Sequence, residues 1–432
     1  MPSRSEYYGH YPVALLALMR RRSAIVFTSV FLFVIWFWNG TAPSNPIAGR
    51  VRVVDGLRIE SNESFDGEWA FHRDHTNLRL DATQCDRAFP GLFEEIERPW
   101  RDRRLRRITL NELNSIEPRN GYVRAMIYDH QLYVVATDGR IYSREIATLH
   151  SIHRAIVSSP EPLPNIEFAF NSDDRIDSVA LWGYARRQKD TNIWLIPDFS
   201  HWSWPETKVG TMREVQMKAE ELEESGIWTW KDKVPKLLWR GAVMDLEVRK
   251  QLLEVTHRQS WADVKAIDWK DQKSMKKDLM SMSDHCQYKY LAHTEGNSFS
   301  GRLKYLQSCK SVVITHQMDW IQHHHPLLRS TGPDQNYVEV RRDFGDLLER
   351  IEWLQEHDDE AERIATNNVN IFRRRFLTPA AEVCYWRRLI HRWGEVSFEP
   401  TFFKEVNGNK KVWRGVPVES FLLERRLDWD PY

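Results

Sequence analysis

The sequence predicts an α/β fold with parallel sheets. Short apolar runs that end in polar loops recur along the chain, and amphipathic helices follow them. This strand–loop–helix order is typical of α/β proteins whose strands run parallel. The chain has 432 residues, of which 42% are hydrophobic. At ~150 residues per domain, this length suits an anchor followed by roughly two domains or one large two-lobed protein.

The first predicted element is a transmembrane signal anchor over residues 23–39. Residues 23–38 contain no charge, glycine or proline, and at ~1.5 Å per residue they cover about 24 Å of a ~30 Å hydrocarbon core. A cleaved signal peptide is the first alternative, but small residues would then follow the run, which instead ends in WFW. A buried core helix is the second, and it would not be apolar on every face.

The charges around the anchor predict its orientation. Three consecutive arginines precede the run, so residues 1–22 are expected to be a cytosolic tail and the remainder lumenal. The short span fits the thin membranes of the Golgi or endoplasmic reticulum, which predicts a single-pass type II protein there. Lysine plus arginine and aspartate plus glutamate both number 61. The balanced charge provides no global field to attract nucleic acid, so no nucleic-acid partner is expected.

A lumenal location gives meaning to the next features of the chain. Residues 40–60 are predicted to form a stem. Asn62 begins an Asn-x-Ser sequon farther from the membrane than the sequon at Asn39, so Asn62 is the predicted glycosylation site. The four cysteines have no CxxC spacing, and they permit two disulfides with three possible connectivities.

The folded part begins with elements of mixed type. Residues 102–113 are predicted to be helical, residues 121–146 to form strands and turns, and residues 147–158 to form a helix. Residues 165–170 are predicted to form a buried strand. That strand ends in the polar loop NSDD over residues 171–174.

The second half of the chain repeats the strand–helix pattern more regularly. A helix is predicted from Thr211, as its cap, to Ser225. The predicted strands that follow cover residues 236–239, 264–267 and 311–315. Two long helices are predicted over residues 343–357, with Asp343 as N-cap, and over residues 360–376.

Ligands of α/β proteins bind beyond the carboxyl ends of the strands, so three loops are candidate sites. They are residues 171–174, 239–241 and 295–302. The third loop, EGNSFSGR, contains glycine, asparagine and serine, which turn easily and present N–H groups, before a helical run begins. Such a loop can bind phosphate, with Arg302 pairing to it. It matches neither the P-loop nor the GxGxxG motif, so a purely structural loop remains an alternative.

The same region resembles glycosyltransferase family 90. The segments DHCQYKY and GNSFSGRLKYLQSC are similar to that family's signature, and LLWRG, NYVEV and CYWRRL occur in the family's order. Upstream, LPNIEFAFNSDD and IWLIPDFSHWSWPE also match. The resemblance covers roughly residues 160–395. This family contains fungal capsule-associated xylosyltransferases and animal protein O-glucosyltransferases.

The resemblance implies a GT-B-like fold, in which two Rossmann-like lobes enclose a cleft. It implies an acceptor-side lobe carrying the catalytic base over residues 61–205 and a nucleotide-sugar-binding lobe over residues 206–376. The C-terminal helix and tail, residues 377–432, are expected to pack back on the first lobe. Cys286 and Cys309 are expected to pair, as are Cys384 and a cysteine near the N-terminus, for which Cys85 is the candidate.

The resemblance also implies an activity. A UDP-sugar, with glucose or xylose as the sugar, would donate to a hydroxyl of a glycan or protein, with inversion and without metal or other cofactor. Asp174 matches the family's catalytic base, and the adjacent Asp173 is the alternative. Cationic and N–H groups would stabilise the leaving diphosphate. The predicted donor-binding residues are Arg240, Gly241, Gly296, Asn297, Ser298, Phe299, Ser300 and Arg302.

Three other features of the sequence, and two alternative functions, compete with this prediction. The histidines at 323–325 and the DWD at 428–430 are not expected to bind metal, because consecutive side chains diverge and no strand precedes the second motif. Aromatic residues between 194 and 204 could line an acceptor groove or pack in the core. The alternative functions are a catalytically inactive lumenal lectin or scaffold protein and a metal-dependent hydrolase or transferase.

Overall fold

A computed structural model describes residues 65, 67–176, 180–271, 275, 277–406, 408 and 410–427. The predicted tail, anchor and stem, residues 1–60, and the predicted glycosylation site Asn62 lie outside the described residues. Within the described part, no helix combines the length and the apolar character that a membrane crossing requires.

The α/β class is confirmed, because helices and several sheets alternate along the described chain. The strands are β1 (Tyr122–Tyr128), β2 (Gln131–Thr137), β3 (Ile166–Asn171), β4 (Leu181–Gly183), β5 (Arg186–Arg187), β6 (Ile193–Leu195), β7 (Ser203–Trp204), β8 (Val209–Thr211), β9 (Val234–Gly241), β10 (Ala262–Ala266), β11 (Tyr288–His293), β12 (Val312–His316), β13 (Trp320–Ile321), β14 (Val338–Val340), β15 (Phe403–Val406), β16 (Lys410–Trp413) and β17 (Val416–Pro417).

The helices connect these strands and cover the sheets. The α-helices are α1 (Phe71–Asp74), α2 (Ala82–Ala88), α3 (Glu94–Arg103), α4 (Leu110–Asn114), α5 (Ser143–Val157), α6 (Met212–Glu224), α7 (Glu247–Val255), α8 (Leu303–Leu306), α9 (Leu347–Glu356), α10 (Asp358–Ile371), α11 (Pro379–Val396) and α12 (Val418–Glu424).

The first large sheet has the strand order β17-β2-β1-β3-β4-β6 and is mixed. Strands β2, β1 and β3 pair antiparallel, whereas β3, β4 and β6 pair parallel. The expectation of parallel sheets is therefore wrong for this half. The cause is the two-residue turn between β1 and β2, where Asp129 has a φ of 47° and His130 a φ of 60°. Positive φ at both positions makes a tight hairpin, which can join only antiparallel strands.

The second large sheet, β10-β9-β11-β12-β14, is parallel throughout. Its strands are apolar because both faces are covered. One face contributes Trp239 and Ile314 to a core with α9 and α10, and the other contributes Leu238 and Val313 to a core around the Cys286–Cys309 disulfide. Burial on both faces is the usual condition of a parallel sheet.

Most predicted elements agree with the structure. Strands β3, β9, β10 and β12 overlap the four predicted apolar runs. Helix α6 begins at the predicted cap, where the Thr211 hydroxyl accepts the N–H of Glu214 and the Glu214 carboxylate accepts the N–H of Thr211. This reciprocal pair satisfies two N–H groups that a helix start leaves free.

Three predicted helices have different boundaries. The single helix expected over residues 102–113 is wrong, because α3 ends at Arg103 and a second capping box, between Thr109 and Glu112, starts α4. Asp346 is the N-cap of α9, whereas Asp343 accepts the N–H of Gly345. The helix predicted over residues 360–376 is α10, which continues as a π-helical turn over Phe372–Phe376.

The C-terminal helix α11 lies against the first sheet. Its Trp393 ring meets the rings of Trp182 and Trp194 edge-on, and its indole N–H donates to the carbonyl of Glu167 at 3.0 Å. Beyond it, β17 pairs with β2 at the edge of that sheet. The C-terminal part therefore completes the core of the first sheet.

Candidate functional site

The loop after β3 holds the predicted base in a fixed turn. The Asn171 side-chain oxygen accepts the N–H of Asp173 at 2.7 Å. The Asp173 carboxylate in turn accepts the N–H of Asp174 at 2.7 Å. These local bonds are the kind that asparagine and aspartate make in turns. They leave the Asp173 carboxylate occupied with its own loop and present that of Asp174 away from the strand end.

Asp174 has two side-chain partners from distant parts of the chain. Arg144, at the start of α5, donates to its Oδ1 at 2.9 Å. Asn297, in the loop after β11, donates to its Oδ2 at 3.2 Å. Burial lowers the pKa of Arg144, but its hydrogen bond and ion pair with Asp174 outweigh burial and raise that pKa overall. The Arg144 guanidinium also lies over the Phe199 ring, 4.7 Å from its centroid.

The structure thus joins the loop after β3 to the loop after β11. A second bond supports the contact, since Arg175 Nε donates to the carbonyl oxygen of Asn297 at 2.7 Å. A cleft of about 850 Å³ opens beside this contact. Arg175, Gly296 and Asn297 line it, as do the start of α7 and Trp320. This volume is within the range of small-molecule sites.

Two arginines face Trp239 at the carboxyl end of β9. The Arg302 and Arg249 guanidinium carbons lie 5.7 and 6.0 Å from the Trp239 ring centroid. Neither arginine makes an ion pair with a described residue. Arg249 donates hydrogen bonds to the backbone carbonyls of Ala242 and Glu295. Burial, followed by the charge of Arg249, lowers the pKa of Arg302 to about 9. Burial lowers that of Arg249 to about 10.

Gly241 ends β9 beside these arginines. A Cβ atom at Gly241 would lie 2.8 Å from the Trp239 ring and 3.0 Å from Arg302 Nη2. A side chain here would therefore push the tryptophan or the arginine aside. The glycine is required by this close approach, because its own φ is not positive.

Arg240, the other predicted cation of this strand, points to different partners. Its Nη2 donates to the Asp263 carboxylate at 2.8 Å, and its Nε donates to the carbonyl of Asp278 at 3.0 Å. Burial raises the pKa of the Asp263 carboxyl, but hydrogen bonds from Arg240 and Tyr288 lower it overall. The structure does not bring the Arg240 guanidinium to Arg302.

The remaining residues of the loop after β11 differ in exposure. Gly296 donates its N–H to the carbonyl of Ser298 at 3.0 Å, which closes the turn. Ser298 is fully buried, and its hydroxyl makes no hydrogen bond with a described residue. Phe299 packs in the large core, edge-on to Tyr184, whereas Ser300 is half-buried. The helix that follows, α8, is only one turn long, so its dipole at this loop is weak.

Glu295 forms the inner wall of the cleft. It is 2% exposed, and its carboxylate accepts the N–H of Trp320 at 2.8 Å and pairs with Arg342 at 3.1 Å. Burial is the largest influence on this carboxyl, and it raises its pKa despite those two partners. Glu295 therefore fixes the loops around the cleft from the inside.

The aromatic segment before α6 divides between core and surface. Trp194 is fully buried against Trp393, so it belongs to the core. Trp202 is half-buried. Its ring stacks on the His150 ring, and the Arg154 guanidinium lies over the Trp202 ring. Tyr290, in the DHCQYKY segment, is likewise buried in a strand, as expected.

The four cysteines form the two disulfides that the resemblance implies. Cys85 in α2 is bonded to Cys384 in α11, and Cys286 is bonded to Cys309. The first disulfide ties the start of the described chain to its C-terminal helix. The second closes the segment that contains the loop after β11.

Arg144 and Arg249 are site residues that the sequence analysis missed. Each lies in the first turn of a helix that follows a strand of one of the large sheets. That position was the available signal, because it places a side chain near the carboxyl end of the strand. Arginine is also common on exposed helix faces, so the position alone did not distinguish them.

The chain is similar to a known protein family. The family model described as Glycosyl transferase family 90 matches residues 81–408. Protein O-glucosyltransferase 2 of Danio rerio is 28% identical over 263 residues, covering 54% of this chain and 48% of that protein. The O-glucosyltransferase rumi homolog of Aedes aegypti is 30% identical over 251 residues, covering 55% and 57%.

A third relative extends the match. Protein O-glucosyltransferase 1 of Rattus norvegicus is 24% identical over 347 residues, covering 75% of this chain and 85% of that protein. The chain spans about half the length of the first two relatives. The family match itself includes both candidate loops, the arginine-bearing strand end and all four cysteines. The chain therefore belongs to glycosyl transferase family 90.

Proposed function

We propose that this protein transfers a sugar from a UDP-sugar to an acceptor hydroxyl, with inversion and with Asp174 as general base. The observation that carries the proposal is the hydrogen bond between Asn297 and Asp174, at 3.2 Å. Through this bond, a carboxylate that follows a strand of the first sheet meets the loop after β11 of the second sheet. That loop is the one we propose to bind the donor diphosphate. A base and a donor loop must meet in this way for transfer.

The proposed base has the geometry that the reaction requires. An attacking hydroxyl becomes a stronger nucleophile as a positioned carboxylate takes its proton. The fixed turn and the Arg144 pair orient the Asp174 carboxylate, so little reorganisation is needed. Asp173 is exposed and its carboxylate binds the loop backbone, which favours Asp174 for the role.

The proposed leaving-group site is the pair Arg249 and Arg302 beside the Trp239 ring. The diphosphate gains negative charge as the glycosidic bond breaks, and fixed cations stabilise that charge. Both guanidinium groups lack a carboxylate partner among the described residues, and burial has lowered their pKa values. Cations can supply here the charge that a metal ion supplies in other transferases, so we propose a metal-independent reaction.

The donor and acceptor are narrower proposals. The relatives are named O-glucosyltransferases, and two of the three are named protein O-glucosyltransferases. On that basis we propose glucose, with xylose as the alternative, and a hydroxyl of a protein or of a glycan as acceptor. The parallel second sheet, with the cleft beside the loop after β11, supports the GT-B-like arrangement that we propose.

We also propose that the folded part lies in the lumen of the Golgi or endoplasmic reticulum. Two disulfides in a chain without free cysteines among the described residues suit an oxidising compartment. The apolar run over residues 23–39 provides the proposed single-pass anchor.

The base is tested by Asp174→Asn, with Asp173→Asn as the matched control. Removing a general base typically costs about 100-fold or more in rate. We expect Asp174→Asn to lower the release of UDP from UDP-glucose by at least that factor, with hydrolysis of the donor by water counted as transfer. The affinity for UDP should change by less than about threefold, because the base does not contact the diphosphate. The control should retain most of the activity.

Two results would reject the proposal. Full activity in Asp174→Asn would remove the base, and a larger loss in Asp173→Asn would exchange the two roles. UDP binding without turnover of any UDP-sugar in the unaltered protein would instead favour the inactive lectin or scaffold.

A further inference from the structure

A possible metal site lies away from the cleft, between α1 and the C-terminal end of α6. His72 of α1 and Glu220 and Glu224 of α6 each offer one ligand atom, and these atoms all lie within 4.8 Å of one another. The two glutamates are four residues apart, so they lie on the same face of the helix. None of the three residues lines the cleft beside Asn297.

Glu220 points to a ligand on its own account. It is 9% exposed, and its Oε1 has no hydrogen-bond partner among the described residues. Arg213 interacts with the Glu220 charge electrostatically, but Oε1 of Glu220 makes no hydrogen bond, so part of the hydration that burial removes is not replaced. A bound cation would remove that cost.

The neighbouring glutamates of α6 show that the cluster is distinct. Glu221 pairs with Lys218 at 3.1 Å, and Glu223 pairs with Arg373 at 2.7 Å. Glu220 and Glu224, by contrast, form no ion pair with a described residue. The last turn of α6 also contains no basic residue. The negative end of a helix favours nearby positive charge, so carboxylates there are unfavourable until a cation joins them.

We propose that His72, Glu220 and Glu224 bind a divalent transition-metal ion, with Zn²⁺ as the best match. Imidazole nitrogen with carboxylate oxygen suits zinc, whereas Mg²⁺ and Ca²⁺ prefer oxygen ligands alone. With bonds of about 2.1 Å, tetrahedral ligand atoms lie roughly 3.4 Å apart. His72 and Glu224 are exposed, so small rotations of their side chains close the site, and water supplies the fourth ligand.

The ion has a structural role in this proposal. It joins α1, in the first described segment of the chain, to α6, whose first turns pack in the large core. Metal binding to the folded state alone stabilises that state by mass action. The proposal does not depend on the proposed sugar transfer, because none of the three side chains is assigned to the reaction.

The test uses the full chain, freed of metal by chelation and titrated with ZnCl₂ in a calorimeter. We expect one Zn²⁺ per chain, and affinity reduced by at least about tenfold in His72→Ala and in Glu224→Gln, since each removes a ligand. The matched control is Glu221→Gln, which removes a carboxylate of the same helix that already has a lysine partner. It should bind Zn²⁺ as the unaltered protein does.

Thermal unfolding provides the second measurement. Saturating Zn²⁺ should raise the Tm of the unaltered protein by about 3 °C, and His72→Ala should abolish the rise. An absence of Zn²⁺ binding would overturn the proposal. Binding that survives both ligand variants would place the ion elsewhere and overturn it equally. Equal binding of MgCl₂, unaffected by His72→Ala, would show attraction to carboxylates only and would also count against it.

Discussion

At the scale of single residues, the partners of an arginine distinguish a structural role from a binding role. Arg240 and Arg302 were placed in the same donor-binding set by resemblance. The structure gives Arg240 the Asp263 carboxylate and the backbone carbonyls of Trp239, Asp263 and Asp278. The Arg302 guanidinium makes no ion pair with a described residue, and the face of Trp239 and a second arginine lie near it. A cation kept partly buried without an anion is costly to the folded protein, which is typical of ligand sites.

This contrast predicts opposite effects of the same substitution. Arg302→Met should weaken UDP binding by about tenfold or more, since a charge-assisted hydrogen bond is lost, and should not lower the free energy of unfolding. Arg240→Met should lower the free energy of unfolding by about 2 kcal/mol or more, because Asp263 loses its arginine partner and three backbone carbonyls lose a donor. Calorimetric titration with UDP and denaturation in urea would measure both. Equal loss of stability in the two variants would contradict the distinction.

A second residue pair connects the two large sheets through the core. Lys304 of α8 donates to the Asp198 carboxylate at 2.6 Å, and these side chains are 1% and 0% exposed. Burial is the largest influence on both groups, but Lys304 and Ser200 keep the pKa of Asp198 lowered. The carboxylate is therefore charged in the folded protein and depends on this lysine.

Breaking that pair should be costly. Lys304→Met is expected to lower the free energy of unfolding by about 3 kcal/mol, because it leaves a buried charge uncompensated. Lys310→Met is the control, since Lys310 pairs with Glu362 at the half-exposed surface and should cost at most about 1 kcal/mol. Urea denaturation of both variants gives the comparison. A loss of stability in Lys304→Met no larger than in the control would show that the other donors to Asp198, such as the side-chain amide of Gln322, satisfy the carboxylate without the lysine.

At the scale of elements, the Cys286–Cys309 disulfide encloses the proposed donor loop. Its two cysteines are separated by 23 residues, and the segment between them contains β11, residues 295–302 and α8. A disulfide that closes a loop of this length restricts the unfolded chain and thereby stabilises the folded state by about 3 kcal/mol. The double variant Cys286→Ala/Cys309→Ala should lose about that much stability and bind UDP more weakly, as measured by urea denaturation and titration. Unchanged UDP affinity would show that β11 and β12 alone hold the loop.

The elements also show what a sequence can and cannot predict. Strands β3, β9 and β12 were predictable because each is a short apolar run between polar residues. The break between α3 and α4 was missed because the charged run at 102–107 hides a capping box at Thr109. The site was predictable as loops and not as contacts. Asn297 and Asp174 are 123 residues apart, and only the packing of two sheets brings them together.

At the scale of the whole molecule, buried histidines link stability to pH. Among the described residues, burial lowers the pKa of all six buried histidines and also of half-buried ones such as His325; the six are His201, His285, His293, His316, His323 and His324. The pKa is about 4 for two members of this set, His285 and His316. His323 lies against His201 and the Tyr385 ring of α11, so the set extends into the core beneath the C-terminal helix.

The sign of the pH effect follows from these lowered values. Histidine in the unfolded chain takes up a proton as the pH falls below about 6.5. The rings of His285 and His316 remain neutral until the pH approaches about 4, and burial holds the pKa of the other four well below its ordinary value. Between these values the unfolded state binds more protons than the folded state, so stability falls as the pH falls. The free energy of unfolding should not depend on these histidines above about pH 7, and it should decline steadily from there towards pH 4.

His324 allows this to be tested at one position. It is fully buried, and neither of its ring nitrogens has a partner among the described residues. Each such histidine contributes about 1.4 kcal/mol per pH unit below its ordinary pKa. His324→Leu should therefore reduce the slope of unfolding free energy against pH by about that amount between pH 6 and 5. Leu327→Ala, a buried neighbour that does not titrate, should lower stability equally at both values. A slope in His324→Leu equal to that of the unaltered protein would show that His324 does not contribute to the pH dependence.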